Sequence, residues 1–189
     1  SNKTYDKLYL QGGLNMSYVV QKKIANVFKK QVSKNGFDHV SVSSIMRATN
    51  IRRQTFYECF LDKYDLLRWQ VNDTLEEVID NNIDYLPWQS IMKLFIYEVD
   101  ANRRYYFECL SQHEVDVSDL FALHLAVLLA HVMDRKKLNK NKKARASMWI
   151  TCLGISNSII HNTLSNEPVD YELLVVQAIY AVEFSFDVS

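Results

Sequence analysis

The sequence predicts an all-α protein in two parts, a small N-terminal helix-turn-helix domain of three helices and a larger helical domain behind it. Three observations predict this. Apolar residues recur at helical spacing along most of the chain, and the one short alternating stretch, 39–42, is too brief for a strand. Residues 42–67 have the form of two short helices, a tight turn and the start of a long helix. Both prolines, Pro87 and Pro168, stand just ahead of long periodic segments, where proline is best tolerated.

In chain order, residues 1–15 are polar, contain Gly12-Gly13 and have no period, and Met16 reads as a native start. They are expected to be an N-terminal extension, part of it contributed by an expression vector. The domains expected after it are 16–70, which includes the start of the linking helix, and 71–189. From Ser17, Val20, Ile24, Val27, Phe28 and Val32 mark a first helix that Gly36 closes. Val42, Ile45 and Met46 mark a second. Asn50 follows, a residue that tolerates the left-handed backbone of a tight turn. A third short helix, 52–59, opens on Arg52-Arg53-Gln54-Thr55 and buries Phe56. In a helix-turn-helix, that opening meets base edges in the major groove. Asp62 is the candidate N-cap of a fourth helix running to residue 84. Further helices are expected at 87–101, 102–112, 118–136, 141–164 and 168–186, with an exposed basic connection over 135–145.

The string Thr55-Phe56-Tyr57, then Phe60, Asp62-Lys63 and Leu66-Leu67, resembles the DNA-binding signature of the TetR family of regulators. The likeness covers about residues 22–69. Asn50 stands where that family usually has Gly, and Arg52 where it has a small capping residue. Arg52-Arg53-Gln54, the run Leu66 to Trp69 and the later Tyr105-Tyr106-Phe107 are similar to a low-GC Gram-positive branch, that of the dihydroxyacetone kinase operon activators. The resemblance implies a TetR-like fold, a homodimer paired through its last two helices, and a double-stranded operator as partner. For Tyr57 and Lys63 it implies phosphate contacts. The wider family implies a small-molecule effector in a pocket, and the branch a co-regulator protein.

Composition agrees with a DNA reader only when it is divided. The net charge of zero conceals ten Lys/Arg against four Asp/Glu over 16–70, a local +6, and ten against seventeen over 71–189, a local −7. Arg52, Arg53 and Gln54 are the candidate base contacts, because Arg matches the paired acceptors of guanine and Gln those of adenine. Ser43, Ser44, Thr55, Tyr57 and Lys63 are the candidate phosphate contacts. For the two serines, capping of the second helix is an equal alternative.

Three widely spaced cysteines without a CxxC read as cytosolic free thiols. The longest apolar run, 120–133, is shorter than a span of about 20 residues. The expectation is a cytoplasmic protein with no membrane partner. His124 and His131 lie two turns apart, about 10 Å, too far to share an ion. No nucleophile–base pair or glycine-rich phosphate loop is present, so neither enzyme activity nor a cofactor nor a metal is expected.

Tyr97, Arg104, Tyr105, Cys109 and His113 form the candidate ligand pocket, against the plainer reading of an aromatic core with a basic edge. The helices 141–164 and 168–186 are apolar over wide arcs, which points to burial on more than one side and to a second subunit. The function read from this is a homodimeric, sequence-specific transcription regulator, controlled through its C-terminal domain by a ligand or a partner protein. The alternative is an all-helical interaction adaptor that does not bind DNA.

Overall fold

The structure is a computed structural model that describes residues 14–137 and 142–186, with side chains described from Tyr18 and, after the break, from Arg145. Among the described residues every regular element is helical. Nearly all of the expected extension 1–15 lies outside the described residues, but the first helix already begins at Leu14. The chain divides into two compact units after Gln70.

The first unit holds α1 (Leu14–Asn35), α2 (Val42–Thr49), α3 (Arg53–Cys59) and the opening turns of α4 (Lys63–Val78). Its core is Ile24, Phe28 and Val32 from α1, Phe37, Ile45, Phe56, and Leu66 and Leu67 from α4, all fully buried. Each helix end has its own device. Gly36, at φ 86°, ends α1 in the left-handed region that glycine enters freely. Ser41 and Ser44 form a capping box at the start of α2, each side chain accepting from the other's backbone N–H. Asn50 ends α2 at φ 54°, and the Ile51 N–H reaches back to the Met46 carbonyl. Asp62 caps α4, its Oδ1 accepting from the N–H groups of Tyr64 and Asp65 at 2.8 Å each.

The second unit holds the rest of α4, a 3-10 turn at Asp80–Asn82, then α5 (Trp88–Ala101), α6 (Arg103–Leu110), α7 (Val117–Arg135), α8 (Lys142–Leu164) and α9 (Tyr171–Phe186). Helix α8 packs on α7, α9 and α6, and α5 packs on α9. Phe95 and Phe121 meet edge to face at 5.1 Å, and Tyr106 joins them at 5.8 Å. Arg103 donates from Nη2 to the carbonyls of Asn162 at 2.9 Å and Ser165 at 2.7 Å, satisfying orphan groups at the C-terminus of α8.

Three of the boundaries that differ from the periodicity reading have a visible cause. Helix α4 stops at Val78, not residue 84, because the Asn82 side-chain amide donates to the Glu77 and Val78 carbonyls and closes the last turn. Pro87 is the N-cap residue of α5 instead of its first helical position. Helix α9 begins at Tyr171, three residues after Pro168. Asp170 accepts from the Glu172 N–H there, while the Asn162 side chain pairs with both backbone groups of Val169 and holds the approach extended.

Helix α7 is also longer than the apolar run suggests. Its 19 residues, at mean hydropathy 1.5, would suffice by length and composition to cross a membrane. Half of that stretch is buried inside the protein, as in a core helix packed against α8.

One polar cluster ties the end of α4 to α7. The His124 Nδ1 lies 3.0 Å from both carboxylate oxygens of Asp80, and its Nε2 lies 3.1 Å from Asn72 Oδ1. The Asn72 amide is oriented by donating to Glu76 Oε1 at 2.9 Å. Both ring nitrogens thus lie within hydrogen-bond distance of an oxygen. His124→Leu removes the ring nitrogens from the half-buried Asp80 carboxylate and Asn72 amide oxygen. Urea unfolding is expected to show a loss of roughly 1–3 kcal/mol, and an unchanged midpoint would show that the cluster is not structural.

Candidate nucleic-acid interface

Helix α3 is seven residues long, too short to be stable alone, and Phe56 is its one fully buried side chain. The Phe56 ring packs on Phe60 at 5.6 Å, and Phe60 packs on Trp69 of α4 at 5.8 Å. With that face committed inward, Arg52, Arg53, Gln54 and Tyr57 are exposed and Thr55 is half-buried. Arg52 is the N-cap residue and makes no side-chain capping bond.

The exposed side chains are only loosely held. Arg53 Nη2 donates to the Tyr57 hydroxyl at 3.1 Å, with its guanidinium 5.7 Å from the ring centre. Gln54 Nε2 donates to Glu58 Oε1 at 3.2 Å. Such i,i+4 pairs on a helix surface contribute only about 0.2–0.5 kcal/mol. A good bidentate base contact discriminates by roughly 1–3 kcal/mol. The surface pairs held by Arg53 and Gln54 would therefore yield to a stronger partner at little cost.

Two of the expected phosphate contacts also have internal duties. Ser44 completes the capping box, and its Oγ also lies 2.8 Å from Gln31 Oε1 of α1. Lys63 donates from Nζ to the Phe37 carbonyl at 3.3 Å and lies 4.3 Å from the Phe37 ring centre. That ammonium seals the loop before α2 onto α4. Ser43 remains exposed, and Arg47, which the sequence reading passed over, stands exposed four residues later on α2. The signal was available in the spacing. Ile45, Met46 and Thr49 are the buried side of α2, so Ser43 and Arg47, at i and i+4, share the outer one.

The candidate ligand group is not brought together around a cavity. Tyr105, Tyr106 and Cys109 are fully buried, while Tyr97 and His113 are exposed. Tyr97 packs against Tyr171 at 5.5 Å, and Arg104 pairs with Glu108 at 2.9 Å. Burial pushes both tyrosine phenols well above their ordinary range. The plainer reading, an aromatic core with a basic edge, describes this region.

No family model matches the chain. Over 95 residues, 49% of its length, it is 40% identical to the HTH-type dhaKLM operon transcriptional activator DhaS of Lactococcus lactis subsp. lactis (strain IL1403). That match spans about half of the relative, 51% of it. Over 90% of this chain and 98% of the other, the solved structure of the dihydroxyacetone kinase operon activator DhaS superposes with a TM-score of 0.75 at 24% identity. The chain shares the fold of DhaS. RolR, solved with resorcinol and without ligand, superposes with TM-scores of 0.57 and 0.58 at 15% and 14% identity. The first comparison covers 92% of this chain and 96% of RolR, the second 87% and 95%. The TetR-like, all-α expectation and the resemblance to DhaS-type regulators are both borne out.

The Lys63 geometry separates stability from DNA affinity. Lys63→Ala loses the carbonyl bond and the ring contact, and is expected to destabilise the protein by roughly 1–2 kcal/mol in thermal or urea unfolding. Parental stability together with weakened binding to every sequence would return Lys63 to the phosphate contacts.

Proposed function

We propose that this chain is a sequence-specific DNA-binding transcription regulator that works as a homodimer and is controlled through residues 71–189. The observation that carries the reading is the exposed, cationic opening of α3. Arg52, Arg53 and Gln54 are held outward by Phe56, on the unit that carries the local +6. In this reading Arg52, Arg53 and Gln54 address base edges, and Ser43, Arg47 and Tyr57 position the duplex through phosphates. The sequence likeness to DhaS, named as a transcriptional activator, supports the same class.

The second subunit is supported by the outer faces of α8 and α9. Ile150 is 69% exposed, Tyr180 67% and Phe184 94%, with Leu173 and Val176 beside them about half exposed. A groove of about 300 Å³ between the two helices is lined by Gly154, Ser158, Ala178 and Ala181 among others. A Cβ on Gly154 would meet nothing within 4 Å. A mid-helix glycine costs about 1 kcal/mol relative to alanine, and no neighbour within this chain requires it. Close approach of a second copy supplies a reason. Ile160 and Ile179 are half-buried inside the chain, so the outermost side chains are the better probes of the seam.

Control through residues 71–189 would reach the reading helix along α4, which is continuous from Lys63 to Val78. An effector that changes operator affinity tenfold must bind two states with a difference of roughly 1.4 kcal/mol. The filled tyrosine cluster moves the effector site away from Tyr105 and Tyr106.

Two measurements check the reading. Gel shift on the DNA flanking its own gene is expected to show a discrete complex. Arg53→Ala should weaken that complex by roughly 1–3 kcal/mol and relax its sequence preference. Equal binding by parent and variant at every salt concentration removes Arg53 from the contacts. Sedimentation is expected to show a dimer at micromolar concentration, and Phe184→Asp, at a site exposed in the single chain, should yield a folded monomer. A parent protein that sediments as a stable monomer overturns the dimer.

A further inference from the structure

A cleft of about 350 Å³ opens between the segment entering α5 and the C-terminal half of α7. One wall is Ile83, Leu86, Pro87 and Trp88, and the other is Leu128 and Val132. Each basic side chain of the lining, His131, Arg135 and Lys136, comes from α7, and the lining contains no acid. His131 is 27% exposed, yet its Nε2 is shielded from water and has no hydrogen-bond partner. The nearest carboxylate, on the 80% exposed Asp84, is 4.0 Å away, beyond hydrogen-bond reach.

Three features define an occupant. The volume lies at the lower end of the range for ligand pockets, roughly 300–1,000 Å³, and fits a molecule of one ring and a short side group. The apolar walls, with the Trp88 indole among them, favour a flat hydrocarbon body. The ionisable lining is wholly basic, with Gln89 the neutral polar side chain beside it, and a buried nitrogen without a partner is a standing cost that a hydrogen-bonding ligand can relieve. A guanidinium at the rim matches a carboxylate in both charge and shape.

We propose that this cleft binds a small aromatic carboxylate, its ring against Trp88 and Leu128 and its carboxylate at Arg135 beside His131. Only the use of the site as an effector site rests on the regulator reading. Binding itself is measured on the protein without DNA, so it stands or fails separately.

The experiment is a two-dimensional amide and indole NMR titration of the full chain with benzoate, and with benzyl alcohol and benzylamine as neutral and cationic probes. Saturable shifts are expected at the Trp88 indole and at amides of residues 128–136, with benzoate at least tenfold tighter than either control. Arg135 is exposed, so Arg135→Gln should keep the parental melting temperature while weakening benzoate at least tenfold. Arg135→Glu should reverse the preference towards benzylamine. The proposal is overturned by the absence of saturable shifts at these positions. It is equally overturned by binding that ignores the probe's charge, or by folded Arg135 variants that bind benzoate as the parent does.

Discussion

Everything that α3 presents depends on one anchored ring. A helix of two turns has too few internal hydrogen bonds to repay its own nucleation. Its position is therefore set by what it buries, and it buries Phe56. The ring is held by Phe60, Phe60 by Trp69, and Trp69 by Tyr18 of α1 at 6.0 Å. This chain of aromatic contacts runs through α3, α4 and α1, so the rotation of α3 about its axis is not free. Because Phe56 must face inward, Arg53, Gln54 and Tyr57 must face outward. Asn50 then fixes where α2 stops, as the left-handed residue between the two helices.

The second unit uses aromatic residues to the opposite end. Tyr105 and Tyr106 carry polar hydroxyls into complete burial, which is costly unless those hydroxyls find partners. Tyr106 donates to Glu98 Oε1 at 3.4 Å, and Cys109 neighbours Tyr105. With Phe95 and Phe121 packed against Tyr106, the interior of α5, α6 and α7 is filled where a ligand pocket was expected. The basic pair beside the tyrosines is likewise committed. Arg103 closes the end of α8, and Arg104 pairs along its own helix.

What was legible in the sequence was local. The Asp62 cap, the Asn50 turn and the inward Phe56 each depend on residues within a few positions, and the structure keeps all three. What failed depends on partners distant in sequence. Lys63 reads as a phosphate contact, and nothing near it in sequence indicates that the Phe37 carbonyl and ring are also its neighbours. Pro168 reads as the first residue of α9, yet the Asn162 side chain, distant in the sequence, pairs with the Val169 backbone ahead of the helix. Tyr97, Tyr105 and Tyr106 share one sequence region, yet only the packing reveals that two are core and one is surface. Arg47 differs, because its i,i+4 spacing to Ser43 is itself legible in the sequence.

Charge gives this arrangement a direction. A neutral chain gains nothing overall from a polyanion, yet the local +6 and −7 act separately because screening confines each to about 8–10 Å. In the regulator reading, residues 16–70 would be drawn to a phosphate backbone and residues 71–189 repelled by it, which would disfavour misplaced encounters at the expense of total attraction. The same acidity makes the basic lining of the α5–α7 cleft unusual, because His131, Arg135 and Lys136 are grouped on the part of the chain that otherwise carries the excess of carboxylates. An excess of acid would have balanced these cations had they been scattered. Grouped beside apolar walls, they make the cleft attractive to an anion too small to feel the rest of the surface.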